Sequence, residues 1–254
     1  MPPAPFDGRN RIAPRGPAAY DGRGDNVVLN REGNAMPRPF RFAVINETTL
    51  PAGEWLAHVR RIEELGYATF LIRDHFVPDF FGPQLAPFTA LTAAAMATTR
   101  LRVGTMVLDN DYRHPVMLAK EAATLDMLSG GRLELGIGAG WLRTEYEQAG
   151  MTFDNAGTRI DRLEESLAIL KGLFSGAPVH HAGEHYTIDG LASYPLPQQR
   201  PHPPILIGGG KRRVLTLAGR EADIVGILTS SVASGTLEDG VEERLPAAIE
   251  QKID

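Results

Sequence analysis

The chain has 254 residues, of which 43% are hydrophobic and 22% charged; its net charge is −5 and it contains no cysteine. That is enough length and apolar content for one sizeable globular domain, and within this chain disulfides, thiol catalysis and cysteine-ligated metals are excluded. Scattered basic residues give no footprint for nucleic acid or an anionic membrane, and no apolar run approaches the roughly 20 residues of a membrane helix. A soluble, cytoplasmic protein is therefore expected.

Residues 1–38 are rich in Pro, Gly, Arg and Asn, show no hydrophobic period and lack the apolar core of a secretory signal; they read as a disordered extension. Met36, just before the first strand, is an alternative start. A domain over residues 39–254 then alternates strands and helices. Phe40–Ile45 reads as a strand, and Glu54–Leu65 as an amphipathic helix with Trp55, Val59, Ile62 and Leu65 on one face, stopped by Gly66. Thr69–Ile72 is the second strand, ending in Arg73-Asp74-His75. A Phe- and Pro-rich loop leads to an Ala-rich helix, Phe88–Thr98. Leu101–Leu108 is the third strand, and Pro115–Leu128 a helix with proline in its first turn.

Leu133, Leu135 and Ile137 alternate with Glu134, Gly136 and Gly138, the period of a strand, and Leu142–Gln148 begins a helix. Gly136, Gly138 and Gly140 thus stand where a strand passes into a helix, the place where α/β proteins bind ligands. Two readings are open: the glycines admit a flat or anionic ligand, or they form a tight ligand-free turn. Arg159–Phe174 is a long helix. Residues 175–203 break the rhythm as an insertion holding a short strand around His185–Ile188. Ile205–Ile207, Arg212–Ala218, Asp223–Leu228 and Glu242–Lys252 complete the alternation as strand, helix, strand and helix. Hydrophobic strands in strict βα order mean a parallel α/β sheet covered by helices. Six βα units are counted, so an open doubly wound sheet and a truncated barrel both fit.

Leu101-Arg-Val-Gly-Thr-Met-Val-Leu108 with Tyr112-Arg-His-Pro115, Leu128 through Trp141, Pro204-Ile-Leu-Ile-Gly-Gly-Gly210 and Ala222-Asp-Ile224 occur in an order that resembles the luciferase-like monooxygenase superfamily. Within it the chain is most similar to actinobacterial oxidoreductases that use the deazaflavin coenzyme F420, with FMN as the alternative cofactor. The resemblance spans roughly Phe40–Thr229. It implies a TIM-like (β/α)8 barrel of the bacterial luciferase type, about six of whose βα units fall in this chain, the last ones being missing at the C-terminus. It also implies a homodimer formed through the second and third βα units.

The resemblance places functional side chains as follows. Asp74 and His75 end the second strand, His75 beside the reactive face of the ring, where a histidine can donate a hydrogen bond or a proton; a surface loop cap is the plainer reading. Thr105, Met106 and Val107 match the position of a non-prolyl cis peptide behind the ring, assigned to Met106–Val107. Gly138, Ala139, Gly140, Trp141 and Thr144 line the cofactor or substrate pocket, although Trp141 also suits core packing. A similar sugar-phosphate dehydrogenase has a catalytic glutamate where this chain has Trp141, so that mechanism does not carry over. Gly208, Gly209, Gly210 and Lys211, opening a helix beside Arg212 and Arg213, match the phosphate-binding segment; Thr229 and Ser230 line the same pocket.

Asp109, Asp111 and Arg113 either bind substrate or solvate their loop. His180, His181 and His185 lack metal-site spacing and read as part of a substrate lid. Three functions follow: hydride transfer between F420 and a small organic molecule, an FMN monooxygenase, or a non-catalytic cofactor-binding remnant.

Overall fold

The computed structural model describes residues 40–47, 49–78 and 81–228, and the strand pair Ala19–Tyr20 and Asn26–Val27. Two compact units are present, Met1–Arg41 and Phe42–Asp254. In the first, β1 (Ala19–Tyr20) pairs antiparallel with β2 (Asn26–Val27). The expected helix Glu242–Lys252 lies outside the described residues, as do Thr229 and Ser230.

In the second unit β3 (Ala43–Asn46), β4 (Thr69–Ile72), β5 (Arg102–Thr105), β7 (Leu133–Gly138), β10 (Ile205–Gly209) and β11 (Ile224–Ile227) lie side by side, every pair parallel. β6 (Leu108–Asp109) pairs with β7 beyond the end of β5. The strands succeed one another in chain order without reversal. A doubly wound sheet reverses its order at the switch point where its two halves meet, whereas a barrel winds in one direction. Tertiary structure thus decides for the barrel topology, over six βα-type strands. Among the described residues β3 and β11 are the outer strands, and Ile45 and Val225 are exposed on them.

The helices start where the backbone chemistry dictates. α1 (Ala52–Glu64) buries Trp55, Val59 and Ile62. α2 (Pro87–Ala97) and α3 (Pro115–Leu128) both begin on proline, whose missing N–H is one a first turn leaves unbonded anyway. α4 (Arg143–Gln148) is short. α5 (Ala156–Ser175) starts three residues before the expected Arg159 because the Asn155 side chain accepts the Thr158 amide at 3.1 Å, and Gly176 ends it at φ 86°. α6 (Arg212–Glu221) extends past Ala218. Leu163, Leu167, Leu170 and Phe174 of α5 join Leu118 and Ala122 of α3 and the strand residues in one core.

Residues 175–203 differ from expectation in detail. They carry an antiparallel hairpin, β8 (Val179–Ala182) and β9 (Thr187–Leu191), with His185 in the turn rather than in a strand. Glu165 of α5 explains the offset. Its carboxylate accepts the amides of Glu184 (2.8 Å), His185 (3.2 Å) and Tyr186 (3.1 Å) and bonds His181 Nε2 (3.0 Å), which holds that turn open. Further on, Gln199 binds Asp126 of α3 and, at the strand beginnings, the Leu133 carbonyl and Arg102, so the segment is anchored in its middle and near its C-terminal end.

Candidate active site

The third expected strand is broken. Gly104 faces Glu134, yet Leu108 faces Ile137, so three residues of one strand oppose two of its neighbour. The break is a bulge, and the Met106–Val107 peptide within it is cis, where the resemblance places it. Thr105 Oγ1 replaces the lost ladder bonds: it donates to the Gly136 carbonyl at 2.7 Å and accepts the Gly136 amide at 3.0 Å. Thr105 is fully buried.

The bulge explains the glycines of β7. A Cβ on Gly136 would lie 1.9 Å from the Thr105 carbonyl oxygen, and one on Gly138 would lie 2.8 Å from Val107 Cγ2. One on Gly208 would reach Val107 Cγ1 at 3.3 Å. A third reason for these glycines thus stands beside the two open from the sequence. At Gly136 and Gly138 the missing side chains make room for the protein's own bulge, which sets Val107 as an apolar wall across β7 and β10. Gly140 has φ 71°, and its Cβ would meet Tyr146 Oη at 2.0 Å and the Asp109 carboxylate at 2.4 Å.

His75 stands three residues beyond the end of β4, the strand next to β5. Its ring stacks on Phe81 (centroids 5.2 Å apart) and meets the half-buried Trp141 edge-on at 5.8 Å. His75 Nδ1 is 2.9 Å from Glu145 Oε2, on α4. The same oxygen accepts Tyr112 Oη–H at 2.8 Å, while Glu145 Oε1 accepts the amides of Phe76 and, at 3.0 Å, Val77. Burial alone would raise the Glu145 carboxyl; the bonds from His75, Val77 and Tyr112 outweigh it and hold the group below the usual carboxylate range.

Asp74 has a different setting. Both of its oxygens are held by Arg113, one at 3.0 Å, and its Oδ2 accepts the Asp109 amide at 3.1 Å, so it ties β4 to β6. Asp109, Asp111 and Arg113 do not solvate a loop. Asp109 is buried and accepts Tyr146 Oη–H at 2.8 Å; Asp111 pairs with Arg162 at 2.9 Å. Burial drives the Asp109 carboxyl up to about 7, against the opposing bonds from the Asp111 amide and Tyr146. Arg159, itself buried, donates to the Ala139 carbonyl at 3.1 Å and so pins the turn after β7.

Gly208, Gly209, Gly210 and Lys211 lead from β10 into α6, and no side chain caps that helix. Gly209 and Gly210 are filled against Val214 and the Leu228 carbonyl, and Gly208 is half-buried next to Val107. Lys211 and Arg212 are exposed, whereas Arg213 pairs with Asp161. Thr144 is half-buried in the first turn of α4. His181 belongs to the Glu165 clamp and His180 lies 3.2 Å from Asp189. Tyr186 at the hairpin end packs on His114 at 5.4 Å, which brings the insertion to the strand ends. Among the described residues no group of three His, Asp or Glu side chains could hold a metal, and no helix is long and apolar enough to cross a membrane.

The structure thus gathers His75, Trp141, Val107, Gly138 and Gly208 around the ends of the strands, with the α6 start along the same edge. Glu145, Tyr112, Tyr146 and Arg159 escaped sequence reasoning. Their roles depend on partners 20 to 70 residues away, and only the acidic first turn after the glycine strand hinted at Glu145.

An α/β barrel with its functional loops at the carboxyl ends of the strands is the class so defined. The sequence matches the luciferase-like monooxygenase family over residues 38–240, and the chain belongs to that family. It is 32% identical over 166 residues to an F420-dependent glucose-6-phosphate dehydrogenase of Amycolatopsis mediterranei, covering 64% of this chain and 49% of the relative. It is also 32% identical over 131 residues to an FMNH2-dependent dimethylsulfone monooxygenase of Pseudomonas putida, covering 52% of this chain and 36% of the relative. The monooxygenase RslO1 of Streptomyces bottropensis superposes with a TM-score of 0.64 at 28% identity, over 71% of this chain and 57% of that one. The chain spans half or less of the length of these two curated relatives.

Proposed function

We propose that this chain carries the cofactor-binding part of an F420-dependent oxidoreductase acting on a small organic substrate. The supporting observation is the apolar wall of Val107 over Gly138 and Gly208, with the His75–Trp141 pair also beyond the strand ends, in a chain whose similarity to an F420-dependent dehydrogenase runs over 64% of its length. The residues present fit a flat ring with an anionic tail. Val107 offers the ring an apolar face, Trp141 an edge, and the uncapped start of α6 with Lys211 and Arg212 a place for phosphate. When bound, the deazaflavin supplies hydride exchange at its ring. The protein orients it, excludes water through Phe81, Trp141 and the hairpin carrying Tyr186, and offers His75 for a proton. Asp74 acts through Arg113 and the Asp109 amide by fixing the loop that carries His75. Thr105 holds the bulge in place, with Met106 and Val107 behind the ring. Gly138, Ala139, Gly140 and Thr144 frame its near edge, and Gly208, Gly209, Gly210 and Lys211 the phosphate end. A homodimer through α2 and α3 is part of this reading, supported by the exposed Met96 and Met117.

A second reading, an FMN monooxygenase on the same wall, is favoured by the similarity to the dimethylsulfone monooxygenase. Titration of intrinsic tryptophan fluorescence separates the two. The chain has two tryptophans, and Trp55 is core-buried against Phe70, so Trp141 is the reporter. Saturable quenching by F420 and not by FMN, abolished in Trp141→Phe and weakened in Lys211→Glu, is the expected result. Quenching by FMN alone moves the chain to the second reading, and quenching by neither refutes both.

A further inference from the structure

Glu145 is an acid that the reaction just proposed does not use, yet it is built with more care than any other side chain near the strand ends. Its side chain is 1% exposed. A carboxylate offers about four lone-pair sites, and four donors or ring nitrogens stand on these two oxygens: the amides of Phe76 and Val77 on Oε1, Tyr112 Oη and His75 Nδ1 on Oε2. Two of these, the backbone amides, can only donate. An ionised carboxylate has no proton to give, so the shared oxygen can only accept from the imidazole. The structure therefore leaves one tautomer for His75.

We infer that Glu145 is the positioning residue of His75: it holds the hydrogen on Nδ1 and leaves Nε2 as the only ring nitrogen that can exchange a proton with a substrate. This rests on the reading that His75 serves the reaction. No hydrogen bond to Nε2 is made among the described residues, whereas the ring faces are occupied by Phe81 and the edge of Trp141. In a proton transfer Nε2 gains or loses one proton, the substrate oxygen or carbon loses or gains it, and Glu145 stays ionised throughout. The arrangement is the buried-acid and histidine pairing that fixes tautomer and ring orientation without moving a proton to the acid. Tyr112 and the two amides do for Glu145 what Glu145 does for His75: the Tyr112 ring stacks on Phe76 at 4.3 Å, so the acid cannot swing away from the imidazole.

The test is nitrogen-15 NMR of the full chain with labelled histidine, without any cofactor, at a pH where the ring is neutral. Long-range proton–nitrogen correlations separate the protonated nitrogen from the bare one, and the signal missing in His75→Gln identifies the residue. Wild type is expected to show hydrogen on Nδ1. In Glu145→Gln the amide oxygen can keep the Phe76 and Val77 bonds while its NH2 group faces His75, so the hydrogen is expected to move to Nε2. In Tyr112→Phe, which leaves the acid in place, it stays on Nδ1. Hydrogen on Nε2 in wild type overturns the inference with no variant needed. So does a folded Glu145→Gln protein with the wild-type tautomer, or a tautomer change in Tyr112→Phe. Cofactor quenching measured on the same samples reports separately on the proposed function: F420 binding without the Nδ1 tautomer refutes the positioning role alone, and the reverse refutes the cofactor reading alone.

Discussion

Replacing Gly140 by alanine isolates the reason for the last glycine of the strand–helix turn. Two costs add. Alanine at φ 71° is in the left-handed region, which disfavours an L-residue by about 1–2 kcal/mol. Its Cβ would also stand 2.0 Å from Tyr146 Oη and 2.4 Å from an Asp109 oxygen. Tyr146 has nowhere to retreat: it is fully buried, its hydroxyl bonds Asp109 and Asp111, and its ring meets Phe153 at 5.0 Å. Above pH 7, where Asp109 is ionised, displacing it forfeits a charge-assisted buried bond worth about 1.5–3 kcal/mol. The expected loss is about 3–5 kcal/mol, a large share of the stability of an ordinary domain. Urea unfolding followed by circular dichroism measures it. The control is Gly219→Ala in α6, where a Cβ meets nothing within 4 Å and a gain of about 0.5–1 kcal/mol is expected. A Gly140→Ala protein within about 1 kcal/mol of wild type would refute the packing argument.

Two further outcomes follow from the carboxylates. Asp109 titrates at about 7 in the folded chain against 3.8 for an ordinary aspartate, so between those values the native state holds the extra proton. Its contribution to stability is whole at low pH and is lost as pH rises toward 7, by about 4 kcal/mol at 1.36 kcal/mol per pKa unit. Asp109→Asn should flatten this part of the stability–pH curve, and an unchanged slope would show that Asp109 is ionised when folded. Glu165 has the opposite sign. Burial raises its carboxyl, but the bonds from His181 and the three amides prevail and lower it, so its clamp is present above the ordinary glutamate range and weakens as pH falls. In Glu165→Ala the amides of residues 184–186 should lose their hydrogen-exchange protection while those of α5 keep theirs; protection retained in the turn would mean that the hairpin holds itself.

Much of this molecule is legible residue by residue, because its local chemistry is strong. Alternating Leu133, Leu135 and Ile137 mark β7, the stripe Leu163, Leu167, Leu170 marks α5, and Pro115 marks the start of α3, each with its physical cause in the sequence itself. The strand ends, hence His75, Trp141 and Gly208, also follow from those periods. Three things depend on residues distant in the chain. The winding order of the strands, which separates a barrel from a doubly wound sheet, is a matter of which neighbours pair, and both orders share one hydrophobic pattern. The purpose of Gly136 and Gly138 depends on Val107 crossing from another strand, so a sequence in which ligand and bulge both demand glycine cannot distinguish them. Glu145 reads as a common acid in a short helix. Only folding, by placing it 2.9 Å from a ring nitrogen 70 residues earlier, makes it the partner of His75.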